Sequence, residues 1–202
     1  IKPIYRNEAH RIIEECMLAA NVCSAEFLQE KEVDALFRNH ETPSEEKLET
    51  LRGFLIEFGL FLDGGNSPTV KHYGQLIKQI SSRPDAHLLQ TVVLRSMQQA
   101  VYSNQNKGHF GLAYESYTHF TSPIRRYPDL IVHRAIKAKI QKKKLKIKDI
   151  ERLGEHCSGT ERRADDATRD VESWLKCYFM QDKIGEIYEG TVSGVTGFGL
   201  FV

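Results

Sequence analysis

Between Ile147 and Asp182 the chain spaces its apolar and small residues in a way that only a helix can use. Leu153, Cys157, Thr160, Ala164, Ala167, Val171, Trp174 and Tyr178 follow one another at intervals of 4, 3, 4, 3, 4, 3 and 4, a heptad seam running along one face. The middle of the seam is small, so another backbone can approach it closely. At ~1.5 Å per residue a helix over 147–182 is on the order of 50 Å long, a strut across a whole domain. In a chain of 202 residues, long enough for one or two domains, the remaining elements have to be arranged around it.

Those elements are drawn from ordinary globular composition. Apolar residues make up 41% of the chain, with 14 Gly and 6 Pro, which excludes collagenous, disordered and low-complexity classes. The balance of 28 Lys+Arg against 27 Asp+Glu leaves a net charge of +1, so attraction for nucleic acid has to come from local placement of charge. No run approaches the ~18 apolar residues of a membrane span, and IKPIYRNEAH lacks the marks of an export signal. A soluble, cytoplasmic monomer with no membrane partner is expected. Cys16, Cys23, Cys157 and Cys177 have no C-x-x-C pairing and read as buried free thiols of a reducing compartment. The chain opens without Met and stops at GLFV within a β-ribbon pattern, and it is expected to be a fragment.

Periodicity predicts a helix over 8–28, a short strand within 33–41, and a helix over 42–59 with Ser44 as N-cap and Gly59 as stop. Two more helices are expected at about 69–81 and 84–101, the second opened by Pro84 in its first turn. Residues 108–120 alternate as a strand does. A further helix reaches about Lys142, and Pro128 either kinks it or marks its start. After about Lys183 the pattern turns β-branched and glycine-rich, so an all-β domain begins there. The fold class is α+β and helix-rich.

The first helix is apolar on two arcs, Ile12, Cys16, Ala20, Cys23 and Phe27 on one and Leu18, Val22 and Ala25 on the other, and is expected to be buried on two sides. Between the arcs Glu14 and Asn21 fall about 20° apart on the wheel. They either line an internal cleft or bridge to a neighbouring element.

The most unusual segment is SYTHFTSPIRRYPDLIVHR at 116–134. Ser122 and Pro123 read as N-cap and first helical residue, which places Arg125 and Arg126 in the first turn. A helix dipole disfavours cations there by roughly 0.3–1 kcal/mol each, so an anion is required. Either Asp129, at i,i+4 from Arg125, or a bound phosphate can supply it. Tyr117, His119 and Phe120 precede the arginines, and aromatic rings beside a phosphate clamp suit single-stranded nucleic acid, although for each ring singly core packing is the commoner role. Asp165 and Asp166 point ~100° apart on a helix and read as ion-pair partners of Arg169 and Arg162. The lysine-rich run 136–148 is either a solvated linker or a phosphate-attracting patch. No D-x-D cluster, Walker loop, G-x-S-x-G or paired His/Cys ligand set occurs.

Three motifs in order, EECMLAANVCSAEFL (14–28), TSPIRRYPDLIVHRAIKA (121–138) and ERRADDATRDVESWLKCYFM (161–180), resemble the RNB family of 3′→5′ exoribonucleases. The resemblance implies that 1–182 is the C-terminal portion of an RNB catalytic domain. It implies that 183–202 holds the first strands of an OB-type, S1-like RNA-binding barrel. The implied activity is processive hydrolysis of single-stranded RNA to nucleoside 5′-monophosphates by two Mg²⁺ ions, which an upstream aspartate cluster outside this sequence would hold. The fragment alone is then expected to be inactive. Carried over residue by residue, Arg125 resembles the arginine at the scissile phosphate and Glu14 the glutamate that reads ribose hydroxyls. Phe198 and Phe201, within TGFGLFV, resemble the stacking surface of the barrel. Asn21, Arg126, Tyr117 and His119 complete the expected RNA-binding set. The alternative is a nuclease-dead RNA-binding or protein-interaction module on the same scaffold.

Overall fold

The computed structural model describes residues 5–190, 192 and 194–201, with 194–196 and 201 described by backbone alone. Helix α1 (Glu8–Glu30) is opened by Asn7, whose side chain accepts from the His10 backbone N–H. Strand β1 (Phe37–Asn39) follows, then α2 (Glu45–Glu57), α3 (Val70–Ile80) and α4 (Ala86–Ser96). Ser44 caps α2 through the Lys47 N–H, and Gly59 ends its last turn at φ +67°, a left-handed conformation that glycine adopts without a Cβ clash. Helices α2, α3 and α4 close one core around Leu48, Leu51, Leu55, Tyr73, Leu76, Ile80, Leu89 and Val93. Each of these aliphatic side chains contributes about 1.5–3 kcal/mol on burial.

The chain leaves α4 earlier than the periodicity predicts. Asp85 is the N-cap, so Pro84 precedes the helix, and residues Val101–Ser103 form β2, antiparallel to β1 with Arg38 opposite Tyr102. Helix α5 (Tyr127–Ile140) packs on α1, and a second core gathers Ala25, Leu28, Ala35, Phe37, Val132 and Ala135. Helix α6 (Ile150–Met180) is followed by a 3₁₀ turn over Gln181–Lys183, and β3 (Gly194–Thr196) pairs with β4 (Gly199–Phe201) as an antiparallel hairpin. The helix-rich α+β expectation is met.

Other expectations fail. The α1 arc containing Ile12, Cys16 and Cys23 is exposed, because α5 and β1 cover only the Asn21, Ser24, Ala25 and Leu28 side. Cys16, Cys23 and Cys177 are therefore free but exposed, and Cys157 alone of the four is buried. In 108–120 the alternation does not produce a ladder. A 3₁₀ turn at Phe110–Leu112 and a left-handed Ala113 interrupt it, leaving isolated bridges of His109 to His40 and Tyr114. Along α6, the buried residues are Gly154, Cys157 and Ser158, whereas Val171, Trp174 and Tyr178 are exposed. The ion pairing there joins Arg169 to Asp166 at i,i+3 rather than forming the i,i+4 network.

Where α6 does pack, it touches backbone. A Cβ on Gly154 would stand 2.7 Å from the Tyr102 carbonyl oxygen, and a Cβ on Gly159 would meet nothing within 4 Å. Gly154→Ala is therefore expected to destabilise the chain by about 1–3 kcal/mol through forced separation of α6 from β2. Gly159→Ala should instead stabilise it by about 0.5–1 kcal/mol through helix propensity. Urea unfolding of the two variants checks the opposite signs.

Candidate nucleic-acid interface

The arginine-bearing segment is shaped by Pro128. A helix running from Ser122 would place this proline, which has no N–H, beyond the first turn. The helix instead begins at Tyr127, with Pro128 at its start and Arg126 as the N-cap residue in extended conformation. Residues 122–126 form a turn in which the Arg125 and Arg126 N–H groups donate to the Ser122 carbonyl at 3.3 and 3.0 Å. Arg125 and Arg126 thus precede the helix rather than occupying its first turn. They still lie at its positive end.

The compensating carboxylate serves a different arginine from the expected one. Asp129 is 0% exposed, and its Oδ1 accepts from the Ser122 N–H at 2.7 Å and from Arg126 Nη2 at 2.8 Å. Its Oδ2 and Arg126 Nε are buried without partners. Arg125 is exposed and has no ion-pair partner among the described residues. The anion that Arg125 requires is therefore not Asp129.

Behind the arginines lies a packed layer of rings. Tyr117 is 5% exposed, stacked on Tyr114 at 5.8 Å and met edge-on by His109 and His119. It has no open face for a base, and supports the site from beneath. Asn21 takes the bridging role, donating to the Tyr117 hydroxyl and accepting from the Phe120 N–H, both at 2.9 Å. Phe120 stacks on His133 with centroids 4.0 Å apart, and the ring nitrogen of His133 lies 2.8 Å from the Phe120 carbonyl oxygen. His119 is half-buried, with Nδ1 2.7 Å from the Tyr102 hydroxyl.

Sequence reasoning missed Tyr102 and Arg38. Tyr102 fell between a helix expected to end at about residue 101 and a strand pattern expected from residue 108, and was assigned to neither. Arg38, a lone cation in an apolar strand, was a readable signal. Its guanidinium lies 4.6 Å from the Tyr102 ring centroid and pairs with Glu161 of α6 at 2.6 Å. The Tyr102 N–H donates to the Ser158 hydroxyl at 2.9 Å.

Glu14 does not join this group. It is exposed on the first turns of α1 and paired with Arg6, whose hydrogen bonding holds its carboxyl below the usual range. Seven residues of helix, about 10 Å, separate it from Asn21. Phe198 is exposed near the tip of the β3–β4 hairpin, and the Phe201 side chain lies outside the described set. A groove of about 1160 Å³ lined by Leu175, Lys176, Phe179 and Lys183 lies at the other end of α6, away from the arginines.

Two imidazoles of the ring layer, His119 and His109, are uncharged at neutral pH. Burial, assisted by Arg126, Arg38, His109 and Arg125, lowers His119 to about 3, and burial with His40 and Arg38 lowers His109 to about 4. Unfolded imidazoles take up protons near pH 6.5, so between 6.5 and 4 the unfolded chain binds more protons and stability falls as pH drops. The melting temperature is expected to decline from pH 7 to 5, and His119→Gln should flatten the decline. The Asp129 brace gives a second expectation. Arg126→Ala, which leaves a buried carboxylate without its cation, should cost about 3 kcal/mol, whereas Arg125→Ala should leave the melting temperature unchanged.

The RNB domain pattern matches residues 1–142. Ribonuclease R of Escherichia coli K12 is 50% identical over 100% of this chain and 26% of its own length, and ribonuclease R of Vibrio cholerae is 53% identical with the same coverage. Mycoplasma genitalium RNase R, solved in complex with ribose-methylated single-stranded RNA, superposes with a TM-score of 0.88 at 26% identity, covering 98% of this chain and 32% of that one. Yeast Ssd1, described as a pseudonuclease, superposes with a TM-score of 0.65 at 26% identity over 76% of this chain and 20% of its own. The chain spans about a quarter of the length of the curated relatives it matches. With the family pattern matched over residues 1–142 and ribonuclease R relatives aligned over its full length, the chain belongs to the RNB family.

Proposed function

We propose that this chain is the phosphate-gripping portion of a 3′→5′ exoribonuclease that acts on single-stranded RNA and releases nucleoside 5′-monophosphates. The observation that carries this reading is Arg125, an exposed guanidinium with no ion-pair partner among the described residues, at the positive end of α5 and beside a second arginine already neutralised by Asp129. A phosphodiester supplies the missing anion. A guanidinium fixed where charge builds up on a reacting phosphate lowers the barrier electrostatically, with no reorganisation during the reaction. The RNA complex of the Mycoplasma genitalium relative supports the choice of ligand. The β3–β4 hairpin supports reading 183–202 as the start of an OB-type barrel, with Phe198 and Phe201 as stacking rings.

The Mg²⁺ implied by the family finds no fit here. Among the described residues no group of three or more His, Cys, Asp or Glu side chains could hold a metal ion. We therefore assign it no ligand in this chain and derive no step through it, and the chain alone is expected to release no nucleotides. The likeness to a pseudonuclease supports a second reading, an RNA-binding module without hydrolysis.

Incubation of 5′-labelled oligo(A) with Mg²⁺ and a longer protein containing this sequence separates the two readings, since the exonuclease yields a shortening ladder and the binder does not. In an active protein, Arg125→Ala should lower turnover by roughly 10²-fold while changing RNA affinity little. Arg125→Lys should restore only part of that, because a point charge lacks the guanidinium fork. Single-turnover kinetics with thermal melts measures both, and near-normal turnover in Arg125→Ala excludes the catalytic role.

A further inference from the structure

In the layer of rings beneath the arginines, His119 holds a ring nitrogen that has no partner among the described residues. His119 lies half-buried between Tyr102 and Tyr117, each at nearly right angles to it with centroids 5.6 and 5.9 Å away. Packed in this way the imidazole cannot swing out to stack on a base. What it offers outward is an edge. Nδ1 faces the Tyr102 hydroxyl at 2.7 Å, and Nε2 has no partner among the described residues and is not one of the buried orphan atoms, so it meets solvent.

The Tyr102 hydroxyl has one partner among the described residues, the His119 ring. If Nδ1 carried the proton, the phenol would have to accept, and its own hydrogen would find no acceptor among the described residues. The pair is satisfied within the protein only when the phenol donates to Nδ1, which puts the imidazole hydrogen on Nε2. Tyr102 cannot easily turn away. Its backbone N–H is held by Ser158, its carbonyl lies against Gly154, and Arg38 covers its ring. We propose that Tyr102 fixes His119 as the Nε2–H tautomer, so that the ring presents one oriented N–H donor to a phosphodiester oxygen of the bound RNA strand.

This rests on the reading that an RNA strand runs past Arg125. An uncharged donor suits the place. Arg38, Arg125 and Arg126 all oppose a positive charge on the ring, as does His109, while Glu161 and Asp129 are each engaged by one of those arginines. A second cation beside them would be repelled, whereas a neutral N–H contributes a hydrogen bond to the anion at no such cost. RNA affinity then has no fall between pH 6 and 8 that depends on His119.

Long-range ¹⁵N NMR on the ¹⁵N-His-labelled chain reads the tautomer in the unmodified protein. Fluorescence anisotropy with labelled oligo(A) reads binding. Nε2–H is expected, unchanged from pH 8 to 6, and Tyr102→Phe should give mixed tautomers. His119→Phe, which keeps the ring but loses the donor, should weaken binding about tenfold, the scale of one hydrogen bond to a charged group. His119→Gln, whose amide places an N–H near the same position, should recover most of it. An Nδ1–H tautomer in the unmodified chain overturns the proposal, as does wild-type affinity in His119→Phe. Absence of oligo(A) binding by the unmodified chain overturns instead the RNA reading of the site, and the NMR result still decides what Tyr102 does to His119.

Discussion

A glycine of α6 rests on the backbone of β2, and the site is assembled outward from that contact. Because Gly154 has no side chain, the helix comes close enough for Ser158, one turn later, to accept the Tyr102 N–H while donating to the Gly154 carbonyl. Glu161, another turn on, reaches Arg38 across the ribbon. Three residues at helical spacing thus fix the strand, the cation above its tyrosine ring and, through that tyrosine, the ring of His119. A methyl group at one position would disturb all of them together.

Charge is divided around this frame with equal economy. Two of the three arginines near the rings are tied to carboxylates, Arg38 to Glu161 and Arg126 to Asp129. Both pairs do structural work, holding α6 to the ribbon and shaping the turn before α5. The third, Arg125, has no ion-pair partner among the described residues, so of these three it is the exposed one left to meet an outside anion. That arrangement favours gripping a backbone over reading bases, which the enclosure of Tyr117 also disfavours.

Much of this was legible in the chain, and what was not had physical causes. Helix α2 could be read because Ser44 and Gly59 act locally, through one hydrogen bond and one backbone conformation. The segment 122–126 was misread because a Ser-Pro helix-start signature competed with Pro128, and only a helix starting at Tyr127 tolerates that proline. Arg125 stood out by its placement, yet Asp129 at i,i+3 from Arg126 and i,i+4 from Arg125 fitted either, and only the extended Arg126 backbone decided between them. Tyr102 was hidden because its role depends on Arg38 and Ser158, far apart in sequence, while the helical signals of 84–101 ran on past Ser96. The pairing of Asn21 with Tyr117 and Phe120 is likewise a property of the assembled fold.

The long helix has two regimes along its 31 residues. Up to about Glu161 one face of the helix is packed, against β2 and α5, with Gly154, Cys157 and Ser158 buried. Beyond that point every residue as far as Met180 is exposed, and the backbone hydrogen bonds are sustained by local propensity and by contacts within the segment such as the Trp174–Tyr178 stack. Amide hydrogens in the first half therefore exchange with solvent only when the whole packed unit opens, and those in the second half exchange through fraying from the C-terminal end. A helix that looks uniform in its geometry thus carries a gradient of opening free energy, steepest where Glu161 meets Arg38.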